Sequence, residues 1–156
     1  MFFLAGGVKP VFAIQRTQKE GLFSIEIPEG WRWVESLQEI IVTYPDGKTV
    51  AIDITLVPSR NLSQAQIKEL LKDSGDKMIK EGIEAHNGTL IHDKEIKFDG
   101  VYARQLDFKP SPENPIDMTY ISFFNKGHAF TITYGAAKDD KMRLVMEDIV
   151  ASFKFR

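Results

Sequence analysis

Residues 117–125 read Asp117-Met-Thr-Tyr-Ile-Ser-Phe-Phe-Asn125, and the architecture turns on this stretch. In an extended chain alternate side chains point to opposite faces. Met118, Tyr120 and Phe124 therefore share one face, and Ile121 and Phe123 take the other. A strand that is apolar on both faces is covered on both faces. The covering elements must come from elsewhere in the chain, and two amphipathic segments qualify.

The first follows Asn61-Leu-Ser63, where Ser63 with Gln66 forms a capping box and Leu62 can staple onto Ile67. Ile67, Leu70, Leu71, Met78 and Ile79 form one apolar stripe, and Gly82 is the expected stop. The second runs over about 139–153, with Met142, Val145, Met146, Ile149, Val150 and Phe153 at helical spacing. Asp139 and Asp140 suit the positive end of its dipole.

The rest reads as strands. Phe23, Ile25 and Ile27 alternate with Ser24 and Glu26 between Gly21 and Pro28. Gln38–Tyr44 and Thr49–Val57 flank the turn residues Pro45-Asp46-Gly47 and are expected to form a hairpin. Further strands are expected at Thr89–Phe98, Val101–Lys109, Asp117–Asn125 and Ala129–Gly135. Asp99-Gly100 and Lys126-Gly127 are tight-turn signals between neighbours, and Pro110, Pro112 and Pro115 stiffen one loop. The expectation is an α+β fold: an α/β/α sandwich with a mainly antiparallel twisted sheet of about seven strands and a helix on each side.

The chain of 156 residues carries 20 Lys plus Arg and 22 Asp plus Glu, for a net charge of −2, and has no cysteine. That length suits one domain with a core large enough to fold without a staple. Disulfide scaffolds, thiolate metal sites, cysteine nucleophiles and cysteine-linked lipids are excluded. The balance of charge argues against a general nucleic-acid binder, which needs a basic face. Phe2–Val8 is an apolar run, far short of the roughly 20 residues of a spanning helix. Val11 and Ala13 sit where small residues precede a signal-peptidase cut. Residues 1–13 are read as the remnant of an export signal, and 14–156 as a single periplasmic or extracellular domain; the rival is a tail or leading strand on a cytoplasmic protein.

Chemistry is sparse. His86, His92 and His128 show no metal-binding spacing, no serine lies in G-x-S-x-G, and no phosphate-cradling glycine motif precedes a lysine. No catalytic residue, metal ligand set or cofactor is assigned. His86 and His128 are expected to be exposed turn residues. His92 and Asp93 could supply two ligands or a base, against the plainer reading of solvent-facing strand residues. Trp31 and Trp33 flank Arg32; they offer either a stacking surface for a ligand or caps on the core. Trp33, His92 and Asp93 are the candidate binding residues. Asn61-Leu-Ser63 and Asn87-Gly-Thr89 match the glycosylation pattern, which matters only in a eukaryotic secretory pathway.

Three patches, taken in order, carry a resemblance: Phe23-Ser-Ile-Glu-Ile-Pro-Glu-Gly-Trp31, Phe98-Asp-Gly-Val-Tyr102 and Ala151-Ser-Phe-Lys154. From about Leu22 to Phe155 the chain resembles the PsbP/Mog1-like superfamily, including its exported bacterial members. The resemblance implies an α/β/α sandwich and a non-catalytic role with a protein partner: photosystem II in plant and cyanobacterial relatives, the GTPase Ran in fungal and animal ones. The chain lacks the lipobox cysteine of lipoprotein relatives and the long basic arm of the photosystem subunits, and no relative's binding residue is carried over. The function expected is that of an exported accessory or binding protein. The alternatives are a carrier of a small molecule or divalent metal, using Trp33, His92 and Asp93, and, last, a hydrolase.

Overall fold

The computed structural model of the chain describes residues 10–15, 23–36, 38–56 and 62–155. In chain order the strands and helices are β1 (Pro10–Gln15), β2 (Phe23–Pro28), β3 (Arg32–Glu35), β4 (Glu39–Thr43), β5 (Thr49–Leu56), α1 (Gln64–His86), β6 (Thr89–Phe98), β7 (Val101–Lys109), β8 (Ile116–Asn125), β9 (His128–Ala137), α2 (Lys141–Ala151) and β10 (Lys154–Phe155). Seven of the strands form one antiparallel sheet in the order β3-β4-β5-β9-β8-β7-β6. Two hairpins build one half, α1 carries the chain to the far edge, and the meander β6–β9 returns to pair with β5.

The alternation in β8 works as its composition requires. Thr119, Ile121 and Phe123 are buried, and Met118, Tyr120 and Phe124 are half-buried on the other face. Ile121 and Phe123 join Ile40, Val42, Val50, Ile52, Phe130 and Ile132 in the main core, closed by Met146, Ile149 and Val150 of α2. On the opposite face α1 packs on β6, β7 and β8.

Two features differ from the expectation. The sheet has seven strands, but Phe23–Pro28 is not one of them, and the short strand Arg32–Glu35 takes a place in it. Instead β2 lies between β1 and β10 in a separate three-stranded sheet. Its apolar side, Phe23, Ile25 and Ile27, is at most 1% exposed. Phe23 stacks on Phe153 at 4.6 Å and meets Phe130 edge-on at 5.9 Å. The layer beside α2 is therefore part helix and part sheet. Residues 1–9 of the expected export signal lie outside the described residues, as do Gly21, Val57 and Asn61.

The second difference is where α1 ends. Gly82 does not stop it; Asn87 does, in the left-handed conformation (φ 54°), with its N–H donating to the carbonyls of Gly82 and Ile83. Gly82 instead faces the Phe108 ring, and a methyl there would approach within 2.6 Å of it. Gly75 meets Arg104 in the same way. The two glycines lie seven apart, on one helical face, and let α1 sit close to the sheet. At its start the Ser63–Gln66 capping box forms in both directions. Asp140 caps α2, accepting from the Met142 N–H at 2.8 Å, which holds its carboxyl below the usual range. Both tight-turn signals are two-residue turns with positive φ: Asp99 48° and Gly100 81°, Lys126 48° and Gly127 78°.

Candidate functional site

Trp33, His92 and Asp93 do not converge. Trp33 is on β3 and the other two on β6, the opposite edges of the sheet. Six interstrand spacings separate them, about 29 Å. His92 and Asp93 are neighbours in an extended strand and point to opposite faces. Trp31 is 7% exposed and tilts against Tyr44 at 5.4 Å, as a core cap would. Trp33 is half-buried against the same core.

His92 is exposed, and its Nδ1 lies 3.3 Å from Asp107 Oδ2. Asp107 is already engaged. Its Oδ1 accepts from the Thr119 hydroxyl at 2.8 Å and from Gln105 Nε2 at 3.2 Å. Thr119 in turn accepts from Arg143 of α2 at 3.2 Å, and Arg143 also donates to the carbonyls of Asp117 and Ala136. This web fastens the start of α2 to β7, β8 and β9. A His–Asp pair can orient a general base, but the hydroxyl nearest to this one donates to the carboxylate rather than facing the imidazole.

Asp93 belongs to a second web, under α1. Arg104, 8% exposed, donates from Nε and Nη2 to the two Asp93 oxygens at 2.9 and 2.6 Å. It also donates to Asp76 at 3.1 Å and to the helix carbonyls of Lys72 and Leu71 at 2.6 and 3.3 Å. The hydrogen bonds from Arg104 hold the Asp93 carboxyl below its usual range, against the partial burial that would raise it. A fork of donors matched to a carboxylate is the geometry that makes Arg unlike Lys. The carboxylate read as a possible ligand is thus a fastening of the fold. His128, expected in the open, is 9% exposed beside Phe130, because its place in β9 points it into the core. Its Nδ1 lies 3.1 Å from the Lys126 carbonyl.

A concave surface exists elsewhere. A cleft of about 620 Å³ opens where α1 begins, above the ends of β6, β7 and β8. Tyr102 and Phe124 line it from the sheet, and Ile67 from α1. Lys68, Lys97 and Lys126 supply three ammonium groups, and no Asp or Glu belongs to the lining. The Lys68 Nζ sits 4.9 Å from the centroid of the Tyr102 ring. Burial, with Glu95 nearby, raises the Tyr102 pKa, so the phenol is neutral at physiological pH. Gly100 and the turn at 126–127 form part of the rim. Among the described residues no three His, Cys, Asp or Glu side chains gather to hold a metal.

No family model matches the chain, and no curated protein does. Among solved structures, the solution structure of cyanobacterial PsbP (CyanoP) from Synechocystis superposes with a TM-score of 0.69, covering 100% of this chain and 99% of that one. The fold is PsbP-like. At 16% identity the likeness is one of architecture. A crystal structure from Bacteroides thetaiotaomicron aligns with a TM-score of 0.47 at 13% identity, over 86% of this chain and 45% of that one, and adds nothing to the assignment. Within the PsbP-like frame, sequence reasoning missed Arg104, Asp107 and the lysine cleft. Arg104 had left a signal: an arginine on the same strand face as Tyr102, Leu106 and Phe108 must find partners when that face is buried. The cleft left none, because its lysines come from three separate elements.

Proposed function

We propose that the chain is a non-catalytic, exported accessory or binding protein of the PsbP/Mog1-like type that works through a protein partner. The PsbP-like architecture over the whole chain is the observation that carries this reading. The polar groups that might have done chemistry are occupied elsewhere: Asp93 by Arg104, and Asp107 by Thr119 and Gln105. Export rests on the apolar run at Phe2–Val8 and the residues Val11 and Ala13. Cleavage after Ala13 would leave only Ile14 and Gln15 of β1 paired with β2, while β2 keeps β10 on its other side.

Complementation in the native host tests the non-catalytic reading. Strains lacking the protein should be rescued fully by His92→Ala and by Asp107→Asn. Failure of either variant, present at normal levels and folded, would mean that the His–Asp pair reacts. A second reading, a small-molecule carrier, is favoured by one observation: the cleft beside the start of α1.

A further inference from the structure

The cleft differs in charge from the molecule that bears it. The chain carries −2 overall, yet three of the residues lining the cleft are lysines and none is acidic. Glu95 stands beside Tyr102 but is not among the residues that line the cleft. No acidic side chain occupies the first turn of α1 to offset the lysines. Like charges gathered in a concave, low-dielectric wall raise the local concentration of counter-ions. The volume of about 620 Å³ falls within the range of roughly 300–1,000 Å³ that small ligands occupy.

Its surface is not purely ionic. Tyr102 and Phe124 stand side by side on neighbouring strands, half-buried, and Ile67 is half-buried across from them. Lys97 is paired with Tyr102 across β6 and β7, and the Lys68 Nζ lies over the same ring, so two cations stand beside this aromatic. A ligand that fills this cleft needs an apolar body to cover the rings and an anionic end to meet the ammonium groups.

We propose that the cleft is a binding site for a small amphipathic organic anion, an aromatic or aliphatic body bearing a carboxylate or a phosphate. The proposal rests on the carrier reading and does not depend on which protein partner is found. The body lies on Tyr102 and Phe124, and the anion faces Lys68 and Lys97 with Lys126 at the rim. Lysine ammonium groups are point charges with freely turning donors, so they accept either oxyanion.

Amide NMR titration of the full chain with phenylbutyrate and with phenyl phosphate tests this. The controls are neutral phenylbutanamide, inorganic phosphate and hexaglutamate. At least one of the two amphipathic anions should give saturable shifts confined to Lys97, Tyr102, Phe124 and Gly127 and their neighbours. The amide and inorganic phosphate should each bind at least about tenfold more weakly, the loss of one charged contact or of the buried body. Lys68→Met and Lys97→Met, both at exposed positions, should keep the melting temperature and each weaken binding about three- to tenfold. Whichever of the two anions binds more tightly identifies the headgroup. Equal binding by the neutral amide would overturn the anion while leaving a carrier. Equal binding by inorganic phosphate would reduce the site to a bare ion site and overturn the amphipathic class. Binding of hexaglutamate without the small acids would make it a peptide site, and no saturable shift with any probe would remove the carrier reading too.

Discussion

Gly75→Ala should destabilise this protein, although the same change inside an ordinary helix stabilises it. An alanine in a helix interior is favoured over glycine by about 1 kcal/mol. Here the added methyl would lie 2.5 Å from Nη1, 2.8 Å from Cζ and 3.1 Å from Nε of Arg104. The guanidinium cannot step aside, because five hydrogen bonds hold it: two to Asp93, one to Asp76 and two to helix carbonyls. Overpacking of this kind costs about 1–3 kcal/mol. Approaches this short belong to the upper part of that range, about 2–3 kcal/mol, so against the helical gain the net loss should be about 1–2 kcal/mol, or about 2–8 °C in melting temperature for a domain this long. Arg104→Val removes the obstacle and should itself cost about 3 kcal/mol, at the lower end for breaking a buried pair because Asp76 and Asp93 can regain water. In that background Gly75→Ala should change sign and stabilise by about 0.5–1 kcal/mol. Urea unfolding of the four variants, followed by circular dichroism, reads the coupling directly. A cycle additive within about 0.5 kcal/mol would refute the close approach of α1 to the guanidinium.

Other consequences follow from the same packing. Burial, together with Glu39 on the neighbouring strand, raises the Asp53 pKa above its ordinary value of 3.8. An acid with a raised pKa binds more protons folded than unfolded, so its contribution to stability falls as pH rises through that window. Asp53→Asn should therefore stabilise by about 0.2–1 kcal/mol at neutral pH, with the gain vanishing in acid below the ordinary value, as thermal melts across pH would record. Asn87→Ala should cost about 1 kcal/mol in urea unfolding and Asn87→Gly should not, because φ is 54° there. Phe153→Ala should cost about 3–5 kcal/mol, since this ring, 1% exposed, joins Phe23 of the small sheet to Phe98 and Phe123 of the large one. Intact-mass analysis of protein from its native host should find a mature chain beginning at Ile14; an intact Met1 would oppose export.

Local patterns carried most of the architecture. The alternation in residues 117–125, the stripes of the two helices and the two positive-φ turns are visible in the sequence because each depends on near neighbours. The assignment of Phe23–Pro28 to a separate sheet was not visible, because partner choice among strands is a long-range matter. Gly82 misled for a physical reason. A glycine can mark a helix end or a place where another element comes close, and only the position of the Phe108 ring separates the two. His128 misled likewise: a residue next to a turn is exposed or buried according to strand parity, and the parity of β9 is set by Phe130 and Ile132. The candidate site was the least legible part. Trp33, His92 and Asp93 were chosen by residue type, whereas the cleft is assembled from α1, β6, β7, β8 and the turns between strands.

The central claim, a non-catalytic module with a protein partner, is tested most directly by affinity capture from the envelope fraction of the native host, followed by reconstitution from purified components. The account predicts one reproducible protein that binds saturably to the purified chain, with His92→Ala and Asp107→Asn binding as the parent does. Failure of any captured protein to bind once purified, together with turnover of a substrate that His92→Ala abolishes, would contradict it.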